Sequence, residues 1–120
     1  MGIRDYKDLL VWQKAMELVT ELYRLVKLLP KEETYALSDQ MRRAAVSIPA
    51  NIAEGYNRNT DKELLQFLYI ARGSGAELET QILIARNLGY LSSEDSEKTM
   101  ELCLETRKML NAFISKVISG

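Results

Sequence analysis

Residues 40–55 read QMRRAAVSIPANIAEG, and this stretch decides the fold. With Leu37 just upstream, Met41, Ala44, Ala45, Ile48 and Ile52 recur at three- and four-residue steps. That spacing is the apolar face of an α-helix. A second row at the same steps is polar: Gln40, Arg43, Ser47, Asn51 and Glu54. Both rows fit one helix over residues 34–56, capped at its start by Thr34 or Ser38. Pro49 breaks the pattern, because it has no N–H to offer the Ala45 carbonyl. Gly55 reads as the C-cap and residues 56–59 as a turn.

Upstream, residues 6–29 predict a first helix, with Asp5 as its cap. Leu9, Trp12, Met16, Val19, Tyr23 and Val26 form its seam. A second apolar row, Ala15, Leu18, Leu22, Leu25 and Leu29, runs beside it. A single core-facing helix needs only one such stripe, so the second row points to a subunit interface, the alternative being a wide core face with a few exposed leucines. Trp12 and Tyr23, lying on the seam, read as core. Pro30 ends the helix.

Downstream, Thr60 and Glu63 have the spacing of a capping box. They open a third helix over residues 61–88, with Leu64, Leu68, Ala71, Gly75, Leu78, Ile82 and Ala85 as its seam. A neighbouring row carries Ser74, Glu77 and Gln81 at its centre. Gly73 and Gly75 each cost about 1 kcal/mol in a helix interior, so another helix is expected to approach closely there. Gly89 is a stop signal. Ser92 or Ser93 caps a fourth helix over residues 93–118. Four helices joined by short turns predict a single-domain, all-α, antiparallel up-down-up-down bundle over residues 1–120. Helices of about 25 residues would make a rod of roughly 35–40 Å.

Composition narrows function by exclusion. The 120 residues contain no histidine, the commonest general base and metal ligand, and one cysteine. Histidine triads and zinc chemistry are out, and no intrachain disulfide can form. A reducing cytoplasm is the expected setting. The N-terminus lacks the features of a signal peptide, and no apolar run reaches the ~20 residues of a membrane span. The net charge of −1 argues against a non-specific polyanion binder, although local basic patches are a separate matter. No phosphate-loop, dinucleotide or metal-spacing motif occurs, so no cofactor is implied. Cys103 reads as a small core residue, since no histidine is present to activate it.

The polar rows admit three readings. They are solvated outer faces, or a half-buried network between helices or subunits, or a catalytic site in which Glu54 and Glu77 act as paired carboxylates. Pro49 and the glycines favour the network, with Gln40, Arg43, Ser47, Asn51, Glu54, Ser74, Glu77 and Gln81 as its members. No catalytic residue is assigned. The basic residues set apart for nucleic-acid contact are Arg42, Arg43, Arg58, Lys62, Arg72 and Arg86.

The segments YKDL at 6–9, VWQK at 11–14, QMRRAA at 40–45, SIPANIAEG at 47–55, FLYIA at 67–71, Gly73-Ser74, Glu77-Leu-Glu79 and LGYL at 88–91 carry a family resemblance. The chain resembles the bacterial 23S rRNA intervening-sequence proteins, which in turn resemble the accessory protein of diversity-generating retroelements. The resemblance implies a four-helix bundle assembled as a ring-shaped homopentamer. It also implies an association with RNA or an RNA-bound protein such as a reverse transcriptase. It supplies no catalytic residues. A non-enzymatic oligomeric scaffold or adaptor is the expectation, and a purely protein-binding module is its alternative.

Overall fold

The computed structural model describes residues 5–120. Four α-helices carry the fold: α1 (Leu10–Leu25), α2 (Leu37–Tyr56), α3 (Asp61–Asn87) and α4 (Ser93–Ser119). Helix α1 packs on α2 and α4, and α3 packs on α2 and α4, so each helix touches two neighbours around a square. Ser47 meets Ser74, and eight residues further along α2 Gly55 meets Phe67, so α2 and α3 run antiparallel. The molecule measures 46 × 24 × 20 Å, the elongated shape expected of such a bundle.

The expected first helix over 6–29 is three pieces. A 3-10 turn at Tyr6–Asp8 is capped by the Asp5 carboxylate, which accepts from the Lys7 N–H at 2.8 Å. Leu9 is extended and separates that turn from α1. The break is held in place by the Gln13 amide, which donates to the Lys7 carbonyl at 2.8 Å, and by the Tyr6 ring set edge-on to Trp12. At the other end, Pro30 forces Leu29 into an extended conformation, and the last turn tightens to a 3-10 turn at Val26–Leu28.

The second apolar row of the first helix takes the core, and the expected seam keeps only its two ends, Leu9 and Val26, buried. Ala15, Leu18 and Leu22 are completely buried, so the row expected at a subunit interface is the core seam. Met16 and Tyr23, expected in the core, are 42% and 43% exposed, and Trp12 and Val19 pack at its edge. Both rows are apolar, so the sequence does not fix the helix rotation; packing against α2 and α4 does.

Neither Thr34 nor Ser38 caps α2. The Glu33 carboxylate, at the end of a 3-10 turn over Lys31–Glu33, accepts from the Leu37 N–H at 3.2 Å instead. The helix then runs unbroken through the buried Pro49. It ends at Asn57 rather than at Gly55, which is buried inside its last turn. A Cβ on Gly55 would lie 2.8 Å from the Phe67 Cβ and 3.2 Å from the Leu64 carbonyl oxygen, so this glycine sets the closest approach of α2 and α3.

Two helix starts are as expected. Thr60 accepts from the Glu63 N–H at 3.2 Å, and Ser92 accepts from the Asp95 N–H at 2.9 Å. Gly89 takes φ 78°, and the N–H groups of Gly89 and Tyr90 bond to the carbonyls of Arg86 and Ala85. That is a Schellman motif, which needs a left-handed residue at this position. One contiguous core joins all four helices, centred on the fully buried Leu18, Leu22, Met41, Ile48, Leu68, Leu78, Ile82 and Leu110.

Candidate functional site

The proposed polar network forms only at its centre. The Ser47 hydroxyl accepts from Ser74 Oγ across the α2–α3 seam at 2.8 Å and from Asn51 Nδ2 at 2.9 Å. The same Asn51 amide donates to the Ser47 carbonyl at 2.8 Å. These side chains flank Pro49, so the stretch of α2 that loses a backbone N–H gains a side-chain hydrogen bond beside it.

The other members stay local. Arg43 pairs with Asp39 at 2.9 Å on the outer face of α2, and Gln40 is exposed. Glu54 pairs with Arg58 at 2.7 Å. Gln81 is buried and donates to Glu77 at 3.3 Å, while its Oε1 has no partner among the described residues. Glu54 lies beyond Ser47 along α2, and Glu77 lies beyond Ser74 in the opposite direction. At the rise of a helix this separates the two carboxylates by about 15 Å along the bundle, too far to act as a pair.

The six basic residues do not converge either. Arg58 and Lys62 stand at the α2–α3 turn, whereas Arg86 sits at the far end of α3. Arg86 donates to Ser96 at 2.7 Å and so ties α3 to α4. Arg72 lies over the Tyr69 ring and reaches Asn111, and Arg58 lies over the Phe67 ring. Arg42 donates to the Thr34 carbonyl at 3.0 Å. Arg42 and Arg43 line one groove, with Tyr23, Asp39, Val46 and Ser47.

Sequence reading missed a polar cluster between α3 and α4. Arg107, on α4, forms an ion pair with Glu79, and the stem of its side chain crosses Gly75. A Cβ on Gly75 would meet the Arg107 Cγ at 2.8 Å, so the close approach expected at this glycine is made by a side chain. Gly73, expected to do the same, has nothing within 4 Å of its added Cβ. Beneath the ion pair, Cys103 points its thiol at the Gly75 carbonyl, 3.5 Å away. Burial, reinforced by Glu79 and opposed by Arg107, raises the Cys103 thiol to about 11, which keeps it protonated and inert. A second missed contact joins two connectors at one end of the bundle: Tyr90 Oη donates to Glu33 at 3.0 Å, which raises the tyrosine pKa.

The fold and these contacts define an all-α four-helix bundle in which some polar groups tie helices together and others pair along their own helix. Among the described residues no helix is long and apolar enough to cross a membrane, and no cluster of acidic or cysteine side chains has the arrangement of a metal site. Residues 7–112 match the family described as 23S rRNA-intervening sequence protein, and the chain belongs to that family. The structure is similar to the crystal structure of a protein of unknown function from the S23 ribosomal protein family of Bacteroides thetaiotaomicron. The likeness is at 26% identity and a TM-score of 0.80, covering 88% of this chain and 95% of the other. No curated protein matches the chain.

Proposed function

We propose that this protein is a non-enzymatic oligomeric scaffold or adaptor that assembles through the outward face of α3 and contacts RNA or an RNA-associated protein. The observation that carries the assembly reading is that face itself. Ile70, Ile84 and Leu88 are 50%, 42% and 57% exposed along it, and the open Gly73 lies between them. A helix-interior glycine with nothing near it lowers helix stability by about 1 kcal/mol without return in a lone chain. A neighbouring subunit seated against Gly73 supplies the return. The family resemblance makes a homopentamer the expected assembly.

The test is mass in solution. Light scattering at micromolar concentration is expected to give about five chain masses, and Ile84→Glu is expected to dissociate the assembly. Gly73→Ala is expected to weaken it. A monomer mass for the parent protein would overturn the reading, as would a Gly73→Ala variant that keeps its mass and gains stability. For the RNA contact, retention at low salt is expected to fall with rising salt and with Arg42→Ala/Arg43→Ala. No retention at low salt would sink that part.

The scattering of the arginines, each with a local partner, favours a second reading as a purely protein-binding module without a nucleic-acid role. Protein partners that survive nuclease treatment in a pull-down, with no RNA retained, would support it.

A further inference from the structure

The junction between the end of α1 and the start of α2 encloses a groove of about 400 Å³, within the size range of small-molecule sites. Lys27, Lys31 and Arg42 line it, and no carboxylate does. In a protein of net charge −1 this is a local concentration of positive charge. Among the described residues Lys27 and Lys31 take part in no ion pair. Arg42 is held in place by its hydrogen bond to the Thr34 carbonyl, and the same nitrogen lies 3.9 Å from the Asp39 carboxylate.

A second observation is independent of the charge. Ser38, in the first turn of α2, is 3% exposed, lines the groove and has no hydrogen-bond partner for its hydroxyl among the described residues. Its hydroxyl is a donor left over for a ligand in the groove. The positive end of the α2 dipole lies at the same place. Two of the three nearby acids are already engaged, and the third, Glu32, is exposed beside Lys31. Glu33 accepts from Leu37 N–H and from Tyr90, and Asp39 is held by Arg43. The opposite wall carries the Tyr23 ring and Val26, an apolar surface on which a flat ring can lie.

We propose that this groove binds a phosphorylated nucleoside, with the phosphate held by Lys27, Lys31, Arg42 and Ser38 and the base against Tyr23 and Val26. A dianionic phosphate offers several acceptors to cations converging from different sides, which a single carboxylate does not. The phosphate can belong to a free nucleotide or to the end of an RNA strand, since the chemistry recognised is the same.

Calorimetry with inorganic phosphate, AMP, adenosine and a short RNA with and without a 5′-phosphate tests the site and its source. AMP is expected to bind more tightly than phosphate, and adenosine not at all. The Lys27→Gln/Lys31→Gln variant is expected to lose about tenfold in AMP affinity, and Ser38→Ala severalfold, with circular dichroism unchanged. Neither lysine side chain makes an ion pair or hydrogen bond among the described residues, so the double variant is expected to fold as the parent does. Competition with AMP by the 5′-phosphorylated RNA alone assigns the strand end as a source. Competition by neither RNA assigns the free nucleotide. AMP binding that is undetectable at millimolar concentration, or unaltered in the lysine variant, would overturn the site. The site shares Arg42 with the RNA reading above, and salt-dependent RNA retention without AMP binding would refute this groove while leaving that reading intact.

Discussion

Replacing Gly55 by alanine sets two opposed effects against each other, and the structure decides which wins. Alanine in place of glycine inside α2 favours the helix by about 1 kcal/mol. Its methyl group would lie 2.8 Å from the Phe67 Cβ, 3.1 Å from a Leu64 methyl and 3.2 Å from the Leu64 carbonyl oxygen. The methyl can rotate away, but the Cβ and the carbonyl belong to the frame of α3 and move only if the helices part. Overpacking of this kind costs about 1–3 kcal/mol, and immovable neighbours place it in the upper part of that range. The net result is a loss of about 1–2 kcal/mol. For a chain of 120 residues each kcal/mol shifts Tm by about 4 °C, so Gly55→Ala is expected to melt roughly 4–8 °C below the parent. Circular dichroism melts at one fixed protein concentration measure this, because assembly would otherwise couple Tm to concentration. A variant melting at or above the parent would refute the account of Gly55 as the point of closest helix approach.

Two further outcomes follow from the polar contacts. Cys103 is expected to react with iodoacetamide at pH 8 about a hundredfold more slowly in the folded protein than after unfolding, because its pKa is raised from 9.0 to about 11. The raised pKa stabilises the fold fully below pH 9, and that contribution is lost as pH climbs from 9 towards 11; a thiol titrating near 9 in the native protein would contradict both statements. Thr60→Ala removes the side-chain cap of α3 and is expected to lower stability in urea by about 1 kcal/mol, whereas an unchanged midpoint would show the cap to be inert.

The helices were legible because their boundaries are written in local chemistry. Pro30, Thr60, Gly89 and Ser92 act within a few residues of themselves, and each does what its residue type dictates. What was illegible depends on partners distant in sequence. The two rows of α1 are equally apolar, so which one faces inward is settled by α2 and α4. Gly55 has the look of a stop signal until Phe67 is placed against it. The polar row of α2 was half legible. Ser47 and Asn51 are short and reach Ser74, but Arg43 and Glu54 are long and find charges four residues away on their own helix first. The basic groove escaped notice because its residues come from a helix end, a connector and a helix start, which share no periodicity. Arg42 alone was singled out.

Leu9 and Leu10 lie beside Phe113 and Lys116 in one shared hollow, so the first and last turns of the bundle are side by side. A fluorophore at each end would therefore report a short, fixed distance in the native state and a long, variable one after unfolding, without touching the core. Anything joined to either end would also be carried at one pole, with the lysine-lined groove at the other pole of a 46 Å body left open. A surface anchored through the last turn of α4 would leave the groove facing outward.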